Sequence, residues 1–454
     1  MQFRQKVSSK RSNEFFKEFL HGVWNPKTKD WHDIIEDLLY ISRRRINNKF
    51  VLFRLQLSIL TDIIRNVEGI DAYKRRLYRL TNDKERNLVS EKSYNDEVKF
   101  INSEIYGFEL INRALKEVVD GIVWRLFKYN RAILYLLADK EPIDSLRLDK
   151  GLIETLYELG DIFLGPGNIA IINDISNFLR IGDITKIEND GNIELIEVKS
   201  SRKQRGRRIQ RQKQNMCEVV EFINTGYKEY DDTKLLLLDS NIRQVHYLQN
   251  LLDSIKRSQV KGYDSILIGD YLILEISNHD KIDNPKKMIE YFEDKHELIR
   301  KSWEKKSDVL IDSFFVEKLE YSKNYIPYSI LPFHEEICAN IIMGKVMIHG
   351  LLNVSEIFRK IEKAGWEIVN SLLLKTATEL NGLSNNEKHN IPILEIRKEN
   401  YILRVPSNYL YKLIYELWSP GTMIKVIEET YVKRQSNNYD GYLINFLDDL
   451  RIWK

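Results

Sequence analysis

The strongest constraint in this sequence is a short polar turn, Glu188-Asn189-Asp190-Gly191-Asn192, set between two apolar runs. Asp-Gly in that setting favours an antiparallel hairpin, because the left-handed backbone that glycine accepts matches the twist of the flanking strands. Ile184 to Ile187 is therefore expected to fold back on Ile193 to Val198. Successive side chains of a strand point to opposite faces, so Glu197 and Lys199 share a face while Val198 points into a core. The fold-back also carries Asp183 toward Glu197 across the thirteen residues between them. Two carboxylates and an ammonium group at one sheet edge suit a hard divalent cation. Mg²⁺ prefers oxygen ligands and is commonly held by one or two carboxylates together with water and substrate phosphate.

Charge is local in this chain. The 70 Lys and Arg nearly balance 67 Asp and Glu, a net charge of +3, so no overall field marks a nucleic-acid coat. The basic residues Lys199, Arg202, Lys203, Arg205, Arg207, Arg208, Arg211 and Lys213, however, follow the hairpin with no acid among them. Such density is what phosphate backbones attract, the plainer reading being a solvated helix face. Cys217 and Cys338 stand far apart, which argues against a disulfide framework or a zinc site. No HExxH pattern and no eighteen-residue apolar run occur. Zincin chemistry, membrane spanning and secretion are therefore not expected, and the cytoplasm is the expected compartment.

A chain of 454 residues has room for several cores, and the pattern divides it into three domains: 1–140, 141–280 and 281–454. The first reads as helical, with apolar residues at three- and four-residue steps: Leu52, Leu55, Ile59 and Ile63, then Val98, Ile101, Ile105, Phe108, Ile111 and Leu115. Its Arg and Lys are expected on solvated faces. Lys116 to Asp139 reads as one apolar helix with Trp124, Phe127, Leu134 and Leu137 in its core stripe. Three strands in a meander are expected at Ile169 to Ser176, Phe178 to Ile187 and Ile193 to Val198. A helix from Arg208 to Thr225 follows, with Ile209, Met216 and Val220 inward, and then a buried strand from Lys234 to Leu238. A helix from Asn241 to Arg257 and a hairpin turning at Gly269-Asp270 complete or decorate that sheet. The third domain reads as α+β. It has a charged helical connector, strands at Ile341 to Ile348, Ile393 to Ile396 and Tyr401 to Val405, and helices at Val354 to Ala364 and Asn408 to Trp418.

Gly182-Asp183, thirteen residues, then Glu197-Val198-Lys199 resembles the catalytic signature of the PD-(D/E)XK nuclease superfamily, with glycine where that signature has proline. The order helix, three strands, helix, strand is also that superfamily's core order. The resemblance spans roughly Gly151 to Ser277. It implies an α/β fold with a restriction-endonuclease-like mixed-sheet core, and Mg²⁺- or Mn²⁺-dependent hydrolysis of nucleic-acid phosphodiester bonds, DNA favoured over RNA. Asp183, Glu197 and the Val198 carbonyl would hold the ion, and Lys199 would position or help deprotonate the attacking water.

The superfamily often takes a further acid from a helix preceding the first strand, and here Asp120, Glu154 and Glu158 compete for that role. Asp120 has no capping reason to sit beside Gly121; a bridge to Lys116 one turn back is its structural alternative. Members also place a Gln or Lys toward the site from the next helix, where Gln210, Lys213 and Gln214 are candidates. Arg202, Lys203, Arg205, Arg207, Arg208, Gln210 and Arg211 would hold the nucleic-acid backbone without reading bases. A homodimer or a complex with a defence partner, and a role in microbial phage or mobile-element defence, follow from the same analogy. Two readings of other classes stand beside it. One is a nuclease-like fold kept only for binding nucleic acid or protein; the other is an interaction protein worked by its helical N-terminal half.

Overall fold

Long stretches poor in Gly and Pro, with one apolar stripe each, build the first part of the chain from helices: α1 (Pro26–Arg44), α2 (Lys49–Glu85), α3 (Glu91–Leu126) and α4 (Arg131–Leu137). The structure, a computed structural model, describes residues 26–85, 90–138, 146–165, 167–188, 191–198, 207–230, 233–240, 242–304, 309–314, 326–370, 394–405, 407–437 and 441–445. The stripe Leu52, Leu55, Ile59 and Ile63 of α2 is buried in one cluster with Ile111 and Leu115 of α3, and Ile101 is buried further along α3. The apolar helix expected from 116 to 139 is broken. Lys128 and Tyr129 turn the chain through left-handed backbone (φ 51° and 61°), and Asn130 starts α4 by accepting the Ile133 N–H at 3.1 Å. Its core stripe of Trp124, Phe127, Leu134 and Leu137 is nonetheless buried.

Helix α5 (Lys150–Leu164) leads into an antiparallel meander of β1 (Ile169–Ile172), β2 (Ile184–Ile187) and β3 (Ile193–Ile196). Ile184 pairs with Ile196 and Ile187 with Ile193, so the register is the one the turn dictates. The strands are shorter than their apolar runs. Residues 173–183, expected to be largely extended, instead form a 3-10 turn (Asn173–Ile175) and a loop, because side chains of Asp120 and Asn173 hold their backbone. β3 ends at Ile196, short of Val198.

Helix α6 (Arg207–Thr225), β4 (Tyr227–Tyr230) and β5 (Thr233–Asp239) follow. β5 does not extend the meander: it pairs with β4 and, in parallel, with β13 (Gly441–Asn445). Helix α7 (Leu248–Lys261) begins later than expected. The backbone of 245–247 pairs instead with the corner around Trp418, Ser419 N–H donating to Val245 O at 2.8 Å and Tyr247 N–H to Leu417 O at 3.0 Å. The hairpin of β6 (Tyr263–Ile268) and β7 (Leu272–Asn278) turns where the sequence indicates, but it belongs to another sheet. After α8 (Pro285–Lys295) and α9 (Glu297–Glu304), β8 (Val309–Phe314) joins it. Helix α10 (Glu335–Ile342), in place of the first part of the strand expected from 341, precedes β9 (Val346–Asn353), and the order is β6-β7-β9-β8. Since β7 pairs with β9, that sheet runs across residue 280.

The remaining elements are α11 (Val354–Lys363), the small sheet of β10 (Glu367–Asn370), β11 (Leu394–Lys398) and β12 (Tyr401–Val405), and helices α12 (Ser407–Tyr415) and α13 (Pro420–Asn437). The fold is mixed α/β, with helix predominant and the sheets small. Among the described residues no helix is long and apolar enough to cross a membrane.

Two polar junctions tie distant parts together. Residues 328–333 lie on α1 and α3. There Arg43 donates to the carbonyls of Ser329, Leu331 and Phe333, Arg125 donates to that of Ser329, and the Glu117 carboxyl accepts the Tyr328 N–H. Gly121 permits this approach, since a Cβ there would fall on Ser329 Oγ. At the second junction Glu416, fully buried, accepts from Arg131 at 2.7 Å. Lys412, also buried, lies 4.7 Å from the Trp418 ring centroid and 5.0 Å from that of Tyr409.

Candidate functional site

The candidate site lies where β2 begins and β3 ends. The last ladder pair is Ile184 with Ile196; Asp183 directly precedes it on one strand and Glu197 directly follows it on the other. The two halves of the motif are joined directly: Asp183 N–H donates to Ile196 O at 2.8 Å, and Val198 N–H donates to Asp183 Oδ2 at 2.6 Å. Val198 packs against the core from a half-buried position. Lys199 lies outside the described residues, as do Arg202, Lys203 and Arg205. Arg207, Arg208, Gln210, Arg211 and Lys213 fall on α6, but their side chains are outside the described set, and Gln214 is exposed.

Gly182 has a physical reason to be glycine. Its φ is +76°, and an added Cβ would stand 2.9 Å from the Ile196 carbonyl oxygen and 3.3 Å from Met216 Cε. Proline, fixed near −65°, has no access to that backbone. Met216, Val219 and Phe222 form the buried stripe of α6, which brings this helix against the meander at Gly182.

A third carboxylate stands beside Asp183: Asp174, in the 3-10 turn after β1. Its neighbour Asn173, fully buried, fixes the arrangement. Asn173 N–H donates to Asp183 O at 2.9 Å, its side-chain amide donates to the carbonyls of Ile181 and Gly182 at 2.9 and 3.0 Å, and its Oδ1 accepts from Thr185 Oγ1 at 2.8 Å. Burial pushes the Asp183 carboxyl above its ordinary range. The Val198 N–H opposes that rise, and the exposed Asp174 carboxylate adds to it. Asp174 escapes sequence reasoning because IAIINDIS reads as one strand. The signal that could have found it is Asn-Asp itself, a pair that favours turns over strand interiors.

The upstream acids divide differently. Asp120 is buried on α3 and spends both oxygens on the loop: Ser176 Oγ and Asn177 N–H donate to Oδ1, each at 2.7 Å, and Asn177 Nδ2 donates to Oδ2 at 2.8 Å. It anchors the turn that carries Asp174. Burial raises its carboxyl and these donors lower it. On α5, Glu154 pairs with Lys150 at 3.7 Å and Glu158 is exposed; both lie off the buried stripe of Leu152, Thr155, Leu159 and Ile162.

Among the described residues no three His, Cys, Asp or Glu side chains are grouped to hold a metal ion by themselves. Asp183 and Glu197 offer hard oxygen donors, and the repulsion between Asp174 and Asp183 is of the kind a cation relieves. Against known proteins, the chain matches no family model, no curated protein and no solved structure.

Proposed function

We propose that this chain is a metal-dependent nuclease that hydrolyses phosphodiester bonds in nucleic acid, DNA favoured, on a restriction-endonuclease-like core formed by α5, the β1–β3 meander and α6. The observation that carries the reading is the Val198 N–H donated to Asp183, which joins both halves of the motif at one point. Asp183, Glu197 and the Val198 carbonyl would hold Mg²⁺ or Mn²⁺, which when bound supplies charge neutralisation at the phosphate and a more acidic water. The Val198 N–H orients the Asp183 carboxylate. Lys199 would position the attacking water, and the run from Arg202 to Arg211 would hold the backbone electrostatically. A cytoplasmic enzyme of phage or mobile-element defence, acting as a homodimer or with a defence partner, is the setting this chemistry suggests.

Purified protein incubated with plasmid, linear DNA and RNA, with and without Mg²⁺ or Mn²⁺, tests the reading. Metal-dependent cleavage lost in Asp183→Ala and Glu197→Ala is expected; equal cleavage by wild type and both variants would sink it. A second reading, a nuclease-like fold that only binds nucleic acid, is favoured by one specific observation: an Asp183 oxygen is already engaged by Val198. Duplex binding without cleavage under any metal would select it.

A further inference from the structure

On the distal half of α2, which still packs on α3 through Tyr73 with Glu104 and Phe108, the exposed side carries Lys74, Arg75, Tyr78 and Arg79. Arg75, Tyr78 and Arg79 are turned away from the buried positions Ile59, Ile63, Asn66 and Ile70, and Lys74, one turn after Ile70, is exposed at the margin of that face. The cations around them are compensated. Arg65 meets Asp62 at 3.5 Å, Arg76 pairs with Glu97, Arg147 meets Asp71 at 3.0 Å, and Lys84 lies 4.2 Å from the centroid of the Tyr94 ring. Lys74, Arg75 and Arg79 have no acid within ion-pair distance among the described residues. Tyr78, between them on the same face, is 70% exposed and offers an aromatic ring with a polar tip beside these cations.

The same helix is fixed to the candidate site at its other end. Gln56 Nε2 donates to Ala170 O at 2.9 Å, and Ile172 N–H donates to Gln56 Oε1 at 2.9 Å, so α2 is bolted to β1 immediately before the turn carrying Asp174. At 1.5 Å per residue, Arg75 and Arg79 stand about 30 Å along the helix from that bolt. One turn of duplex DNA is about 34 Å.

We propose that Lys74, Arg75 and Arg79, with Tyr78, form a remote arm that contacts the phosphate backbone of duplex DNA about one helical turn from the candidate cleft. This assignment rests on the nucleic-acid reading above. Charge complementarity selects the partner, and the rigid spacing selects a duplex over a flexible single strand.

The test is binding of full-length protein to fluorescein-labelled DNA in EDTA, where no cleavage intervenes. The variants are the double substitution Arg75→Glu/Arg79→Glu and, separately, Tyr78→Ala, each checked for an unchanged thermal transition. For a duplex of about 30 base pairs the double variant is expected to bind about tenfold more weakly, with a salt slope reduced by about two. A duplex of about 8 base pairs is too short to span cleft and arm, and its binding should be unaffected. Unchanged affinity and slope on the long duplex overturn the proposal, as do equal losses on the short duplex or on single-stranded DNA. Binding to anionic vesicles with none to duplex overturns it too. An arm effect on the long duplex, with no cleavage by wild type in Mg²⁺ or Mn²⁺, sinks the nuclease reading and supports the arm.

Discussion

Asp183 and Val198 are joined across the hairpin by a 2.6 Å hydrogen bond from backbone N–H to carboxylate, so the acid of one strand start is oriented by the main chain of the other strand's end. Asp183→Asn keeps an acceptor for that N–H and removes the charge. Because burial raises the folded carboxyl above its unfolded value, the charged form is disfavoured in the native state. The group's favourable contribution is present below the unfolded pKa and is lost as pH rises through the folded one. The variant should therefore be at least as stable as wild type at pH 7 by thermal melting, yet inactive. A loss above about 2 kcal/mol would mean that the charge itself is structural.

Asp174→Asn should lower the Asp183 pKa, because it removes the neighbouring negative charge that helps raise it. An NMR titration of the carboxyl carbons checks this. No movement of Asp183 would show that the two acids do not feel one another.

Gly182→Ala combines a left-handed backbone with a Cβ 2.9 Å from a carbonyl oxygen, and should cost about 3 kcal/mol in denaturant unfolding. A change below about 0.5 kcal/mol would mean that the loop relaxes freely.

Glu117 and Lys412 predict opposite pH slopes. Burial, helped by Asp120, pushes Glu117 up to about 8 from 4.5, the N–H groups of Tyr328 and Ser329 opposing. Its contribution to stability is full below pH 4.5 and falls away as pH rises through 8. Glu117→Gln should remove that fall and raise stability at pH 8, by up to about 4 kcal/mol on the linkage relation.

Burial, helped by Arg131 and opposed by Glu416, pushes Lys412 down to about 7 from 10.5. Below pH 7 its charge is a full penalty, and stability from this group rises between pH 7 and 10.5. Lys412→Met should flatten the rise and stabilise the protein at neutral pH by about 1–4 kcal/mol. Unfolding midpoints measured from pH 5 to 10 test both groups, and unaltered profiles in the variants would refute the assignments.

The hairpin was legible because its signal is local. Asp-Gly sets the turn, and alternation sets the faces of Ile184 to Ile187 and Ile193 to Ile196, with no help needed from elsewhere. The helical period of Leu52, Leu55, Ile59 and Ile63 was legible for the same reason. Where the reading departed from the structure, a distant partner had won. Segment 245–247 pairs with the Trp418 corner instead of starting a helix, Asp120 reaches 56 residues along the chain to hold Ser176, and β7 finds β9 across residue 280. Periodicity carries no information about such partners. Asp174 was hidden because an apolar run masked the turn at Asn173.

The parallel pairing of β5 with β13 has a consequence during synthesis. β13 is made about 200 residues after β5, and at 5–20 residues per second that interval is roughly 10–40 s. Throughout it, the Leu235 to Leu238 edge faces the cell without its neighbour, an open template for sticking to other nascent chains. Truncations that remove 441–445 should therefore fail as aggregates, whatever they leave intact at Asp183.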